Sequence, residues 1–173
     1  DRKIGINGTQ VMYLPDQANF IGSLIIGNGG TNLVHTTVSE GINNTFAGID
    51  AGLTNTTGYN NSAVGHESLL RNTTGYNNSA MGMQALYSNT TGTNNTASGV
   101  DALLWNTEGY SNSAFGVSAL YENTTGTNNV VIGRLTMFAN TTGVNNVIVG
   151  NAALNTNTTG SNNTGLGHQV LTA

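Results

Sequence analysis

Apolar residues recur along the chain in two short runs separated by polar stretches, and the spacing of these runs is constant. In residues 55–71, "NTTGYNNSAVGHESLLR", the apolar runs are Ala63-Val64 and Leu69-Leu70, while Asn, Thr and Gly fill much of the rest. The same arrangement returns every 17 residues in seven copies, which begin at Asn55, Asn72, Asn89, Asn106, Asn123, Asn140 and Asn157. A fixed period without insertions is typical of stacked, similar units.

Some positions never change over the seven copies. Numbered from 1 to 17, positions 1 and 2 are always Asn-Thr, positions 4 and 11 are Gly, and position 7 is Asn. A degenerate copy, "VSEGINNTFAGIDAGLT", occupies residues 38–54. We therefore expect a leader or capping segment at 1–37, followed by an array of eight repeats at 38–173. Because the chain stops at the last residue of a copy, we expect the protein to continue beyond Ala173.

The repeat predicts short strands and not helices. A Gly and an "NTTG" in every copy leave no long helical window, whereas small and β-branched residues bounded by Gly and Asn favour strands and turns. Two short strands and a tight corner per copy predict an all-β fold, a parallel β-solenoid of 17-residue coils in the β-roll or β-helix class. Such a coil encloses only a thin layer of side chains, about 10 Å across.

The sequence suggests which positions fill that layer. Position 10 offers Val64, Met81, Ser98, Phe115, Ile132, Val149 and Leu166, and position 15 offers Leu69, Leu86, Leu103, Leu120, Met137, Leu154 and Leu171. We expect both columns to form the core, with the small residues at positions 9 and 14 allowing close packing. The glycines are expected to supply corners with positive φ.

Stacking places identical residues about 4.8 Å apart, so an invariant amide becomes a ladder of hydrogen bonds. The seventh position is the predicted buried ladder: Asn61, Asn78, Asn95, Asn112, Asn129, Asn146 and Asn163. Position 16 is the predicted subunit interface, because by strand alternation it faces away from the Leu69 column. Its apolar stripe is Leu70, Tyr87, Leu104, Tyr121 and Phe138. Burial against identical chains would shield this stripe, although corners that fold position 16 inward are the alternative.

Composition narrows the classes of function. Four Lys+Arg against eight Asp+Glu give a net charge of −4, which leaves no basic surface for nucleic acid. The apolar runs are too short to cross a bilayer, so we expect no membrane insertion. The chain has no cysteine, which excludes thiolate metal sites. The histidines at positions 35, 66 and 168 lack a carboxylate at metal-ligand spacing, and the acids are too sporadic for a calcium-binding roll. We expect no cofactor, no metal and no enzymatic activity.

The segments "NNSAVG", "NNTASG" and "NNVVIG" resemble the head repeats of trimeric autotransporter adhesins. The whole unit is more similar to repeats of bacterial and phage tail-fibre-domain proteins, and "LPDQANFIGSLIIGNGG" at residues 14–30 is similar to the segment that opens such arrays. The resemblance implies a homotrimeric fibre outside the cell, on its surface or on a virion. In such proteins the repeats commonly precede a self-cleaving trimerisation chaperone.

Two functions follow from these observations. The first is a structural shaft or head segment of a trimeric surface fibre, an adhesin or tail fibre, that presents or forms a host-binding region. Its partners are other copies of the chain and surface glycans, which Tyr59, Tyr76, Tyr110 or Trp105 could contact. The alternative is an ice-binding solenoid that uses a file of threonines from Thr57 onward, interrupted by Glu108, with the Asn55 column on the same side.

Overall fold

The described strands are short and belong to one continuous sheet. The computed structural model describes the backbone of strands at residues 2–6, 9–14 and 24–26, and all residues from 41 to 171. The first strands are β1 (Arg2–Ile6), β2 (Thr9–Leu14), β3 (Leu24–Ile26) and β4 (Thr45–Ala47). The later ones are β5 (Ser62–Val64), β6 (Ser79–Met81), β7 (Thr96–Ser98), β8 (Ser113–Phe115), β9 (Val130–Ile132), β10 (Val147–Val149) and β11 (Thr164–Leu166).

Eleven strands of the described residues form this sheet, in sequence order. Strands β1, β2 and β3 pair antiparallel, and from β3 onward every neighbour is parallel. Each strand from β5 to β11 occupies positions 8–10 of its copy, and the register pairs equivalent residues, as in Ala63 with Ala80. No helix occurs among the described residues. The predicted parallel β-solenoid of 17-residue coils is confirmed.

The remainder of residues 1–37, apart from β1 to β3, lies outside the described part of the chain. The hydrogen-bonded pairing of β3 with β4 shows that the β1 to β3 strands of the N-terminal segment belong to the same sheet as the repeats. Its role as a leader or cap stays a prediction.

Each described coil contains one strand and not the two that were predicted. The second run, positions 12–17, has φ near +55° at positions 13 and 15, as in Glu67 and Leu69. A sign change of φ at alternate residues breaks the extended conformation. The run is nevertheless bonded to its neighbours, because the N–H of Leu69 donates to the Ala85 carbonyl at 2.9 Å and that of Glu67 to the Ile49 carbonyl at 2.8 Å.

The core is filled by positions 9, 14 and 15. Position 15 is buried as predicted from Leu69 to Leu154, and Leu69, Leu86, Leu103 and Leu120 have no exposed surface, whereas Leu171 in the last copy is 47% exposed. The prediction that position 10 shares the core is wrong: Val64, Met81, Phe115, Ile132 and Leu166 are all exposed. Position 9 points inward instead and is mostly Ala, because the thin coil leaves little room beside the leucine of position 15.

The degenerate first copy shows how limited this room is. It carries Phe46 at position 9 and Gly52 at position 15, the reverse of the usual small and large pair. Phe46 is fully buried, and a Cβ on Gly52 would lie 2.6 Å from the Phe46 ring. In this copy the Phe46 ring takes the volume that a side chain at position 15 fills elsewhere, although later coils bury two large residues, as in Ile148 with Leu154.

Candidate functional site

The seventh-position asparagines lie in a column that connects three successive coils. The backbone N–H of Asn112 donates to Oδ1 of Asn95 in the preceding coil at 3.0 Å. Its Nδ2 donates to the Gly126 carbonyl in the following coil at 2.8 Å. The same pattern runs along the predicted ladder, with Asn163 partly buried at its end: Asn61, Asn78, Asn95, Asn112, Asn129, Asn146 and Asn163.

A second buried ladder, which the sequence analysis did not assign, runs along position 1. Nδ2 of Asn106 donates to Oδ1 of Asn89 at 2.8 Å and to the carbonyl of Gly109 at 3.0 Å. The column from Asn55 to Asn140 has no exposed surface. The signal was present, since position 1 is as invariant as position 7, but its neighbours are polar and suggested a corner open to water.

The two invariant glycine columns serve different purposes. At position 11, Gly116 has φ of +132°, a conformation that L residues rarely adopt. At position 4 the glycines of the seven regular copies do not have positive φ, contrary to expectation, whereas Gly41 of the degenerate copy has φ of +65°. A Cβ on Gly126 would lie against Oδ1 of Asn123 in its own coil and 2.6 Å from the carbonyl oxygen of Gly143 in the next coil. Position 4 therefore requires glycine because of the close approach of the position 1 asparagine and of the next coil.

The predicted interface residues of position 16 are partly covered by their own chain. Leu104 is 7% exposed, and the other four, Leu70, Tyr87, Tyr121 and Phe138, are half-buried. The Tyr121 and Phe138 rings stack with centroids 4.7 Å apart, and the Arg71 guanidinium lies 5.1 Å from the centroid of the Tyr87 ring. These contacts between coils cover part of the stripe, and its role as a subunit interface stays a prediction.

Exposed apolar side chains concentrate on the outward side of the parallel sheet. We define the outer sheet face as positions 8, 10 and 12. Position 10 contributes Val64, Met81, Phe115, Ile132 and Leu166, between 41% and 79% exposed. Position 8 adds Val130 and Val147, and position 12, directly after the glycine that ends the strand, adds Ile49, Met83 and Val117. Ten of the thirteen large apolar side chains exposed in the described chain belong to this face.

The threonines of position 3 form an exposed file, but the asparagines that were expected beside them do not share it. Thr74, Thr91, Thr125, Thr142 and Thr159 are exposed, with Glu108 exposed among them. The Asn55 column is buried inside the coil, which corrects the expectation of a mixed Thr and Asn surface. An ice-binding role would rest on the threonines alone, and it stays a prediction.

Another exposed column carries amide groups and aromatic rings. At position 6, Nδ2 of Asn60 donates to Oδ1 of Asn77 at 3.1 Å, and Asn77 donates in the same way to Asn94 at 3.0 Å. Beside them the Tyr59 and Tyr76 rings stack with centroids 4.7 Å apart and planes 3° apart. Each ring covers a face of the other, which reduces the flat surface on which a sugar could stack.

Ionisable groups are scattered over the described coils. His66 Nδ1 lies 3.8 Å from Glu67 Oε2, and Gln84 Nε2 donates to the same carboxylate oxygen at 2.7 Å. Burial raises the pKa of the Asp101 carboxyl, whose Oδ1 is buried without a hydrogen-bond partner. Between residues 41 and 171 no three His, Cys, Asp or Glu residues are grouped to hold a metal ion. In the same part of the chain, no helix has the length and apolar character needed to cross a membrane.

Comparison with protein-family models, with curated proteins and with solved structures finds no match to this chain. The β-solenoid is consistent with a structural repeat protein, and its invariant residues are the ones that join its coils.

Proposed function

We propose that the chain is a shaft or head segment of a homotrimeric surface fibre, an adhesin or a tail fibre, which holds or forms a binding region at a distance from the particle. Under this proposal the protein works outside the cell, on a cell surface or a virion. Its partners are identical chains and, at the fibre surface, the glycans of a host or prey cell. Its function is mechanical, and it catalyses no reaction.

One observation carries this proposal: all five invariant positions lie at the contacts between coils. The asparagines of positions 1 and 7 hydrogen-bond to the coils before and after them. The glycines of positions 4 and 11 lie where a Cβ would meet backbone of the next coil, as at Gly126 and Gly116. Here the repeat favours extension in one direction.

The threonine of position 2, the fifth invariant residue, also joins coils. Its hydroxyl donates to the carbonyl of the equivalent threonine in the next coil, at 3.0 Å from Thr90 to Thr107 and at 3.0 Å from Thr124 to Thr141. The free energy of unfolding of such an array is close to the sum of the stabilities of the single coils and of the contacts between neighbouring coils. A stack of this kind lengthens by adding copies without a change in cross-section, which is what a shaft requires.

A test of the shaft function is to duplicate residues 55–173 in tandem and to measure the maximum dimension by small-angle X-ray scattering. Seven further coils should lengthen the particle by about 34 Å at roughly 4.8 Å per coil, with an unchanged cross-sectional radius. An increase in cross-section with little gain in length would overturn the proposal, because it would show that the copies fold back on one another.

A further inference from the structure

The outer sheet face, at positions 8, 10 and 12, carries most of the large apolar side chains that are exposed in the described part of the chain. Because so many apolar side chains are exposed on this face, we infer that it is the surface on which copies of the chain associate. The inference rests on the self-assembly proposed above, and it places the contact between chains on a surface other than the position 16 stripe.

The exposed apolar surface of this face is extensive. Ten of its large apolar side chains are each 38% exposed or more. Large exposed apolar patches on a protein surface mark interaction sites. Position 16 offers less, since Leu104 is 7% exposed and Tyr121 and Phe138 stack on each other.

The charge distribution favours an apolar partner. Positions 8 and 10 contain no charged residue in any copy, and their polar members are Ser and Thr. The ionisable residues of this face are in position 12, where Arg134, His66 and His168 are exposed. A central apolar column with polar groups at its margin is the usual arrangement of a protein interface.

The period of the face identifies the partner as a second copy of the chain. Exposed apolar side chains recur on this face in every coil but that of residues 89–105, which carries Thr96 and Ser98 there, and the strands are paired in register from β4 to β11. Only a partner with the same axial spacing matches such a face along its whole length. Copies that lie parallel and in register, related by a rotation axis along the stack, meet this condition at every coil and form a closed assembly.

Cross-linking of single cysteine variants tests this placement, because the chain has no cysteine of its own. Ser98→Cys places a thiol at position 10, and Thr91→Cys places one at position 3 on another side of the same coil. With a short bismaleimide reagent we expect covalent dimers from Ser98→Cys and little or none from Thr91→Cys. Cross-linking of Thr91→Cys without Ser98→Cys would overturn the inference.

Charged substitutions provide a second test of the same surface. Met81→Glu combined with Ile132→Glu should reduce the mass in sedimentation from three chains to one. The matched pair Thr74→Glu with Thr125→Glu, also exposed and in the same two coils, should leave it unchanged. If the chain with Met81→Glu and Ile132→Glu does not fold, the cross-linking of the folded Ser98→Cys chain decides the result.

The outcomes separate this inference from the proposed function. Suppose that the unmodified chain is a trimer, that the variant with Met81→Glu and Ile132→Glu is also a trimer, and that Ser98→Cys gives no covalent dimer. The outer sheet face is then not the interface, but the fibre proposal stands. If the unmodified chain is a monomer, the self-assembly fails, and the inference fails with it.

Discussion

At the scale of single residues, the asparagine of position 7 is held by several buried bonds at once. Oδ1 of Asn112 accepts from the backbone N–H of Asn129 at 3.1 Å and from its Nδ2 at 3.0 Å. Nδ2 of Asn112 donates to the Gly126 carbonyl at 2.8 Å. Each buried polar group that loses its partner costs about 1–3 kcal/mol. These bonds keep the coils in register as well as joined.

The substitution Asn112→Ser should therefore lower the free energy of unfolding by about 1–3 kcal/mol, because the serine hydroxyl is too short to reach the next coil. Asn128→Ser is the matched control, since Asn128 is exposed at position 6 and Ser111 already occupies that position in the preceding copy. Chemical denaturation measures both. Equal losses in the two variants would contradict the buried ladder.

Glycines of position 11 permit a second comparison. Gly116 and Gly167 have nearly the same φ, +132° and +134°, but a Cβ on Gly116 would lie 2.6 Å from the Gly133 carbonyl oxygen, whereas a Cβ on Gly167 meets nothing within 4 Å. Both Gly→Ala variants carry the same backbone strain. Gly116→Ala should cost roughly 1–3 kcal/mol more than Gly167→Ala because it forces two coils apart. Melting temperatures that fall equally would show that strain alone requires this glycine.

At the scale of the element, a coil is the unit that can be added or removed. Deleting residues 89–105 removes one complete coil and joins equivalent positions, so the ladders and the sheet register are restored across the junction. We expect this variant to keep its far-UV circular dichroism and to lose only the stability of one coil. Deleting residues 89–97 leaves eight residues to close a coil, and we expect the stack to be disrupted there. Identical spectra and stability for both deletions would contradict the coil as the folding unit.

The sequence was sufficient to predict the coil but not the side of its strand that faces inward. The period, the parallel register and the burial of Leu69 and its equivalents follow from repetition and from the apolar run. Position 10 was assigned to the core because its residues are larger than the alanines of position 9. Position 10 lies outside because the strand turns position 9 toward the interior, where Val131 and Ile148 are fully buried, and turns positions 8 and 10 away from it.

The second ladder and the second run of each coil were missed for related reasons. Asn55 lies among threonines and a glycine, a context that suggests an open corner, and only the closed coil shows that the corner buries it. The φ values near +55° at Glu67 and Leu69 contradict the usual preference of non-glycine residues. The hydrogen bonds of this run to neighbouring coils and the burial of Leu69 offset that cost, and neither can be read from one copy alone.

At the scale of the whole molecule, the chain combines an interior devoted to stacking with an outward face of apolar residues. Only 7% of its residues are charged, so little of the surface opposes association. Burying an apolar side chain stabilises by roughly 1.5–3 kcal/mol when it is fully covered, and the outer sheet face repeats this contribution along the stack. The proposed homotrimer would cover this face along the full array, and self-assembly is therefore central to the proposed fibre function.

Sedimentation equilibrium of the intact chain at micromolar concentration is the most direct measurement of that claim. We predict a mass three times the 17.8 kDa of the chain, unchanged on dilution over a tenfold range because three copies of the apolar face are buried together. A folded species with the mass of one chain, stable throughout that range, would contradict the trimer and remove the main physical support for a surface fibre.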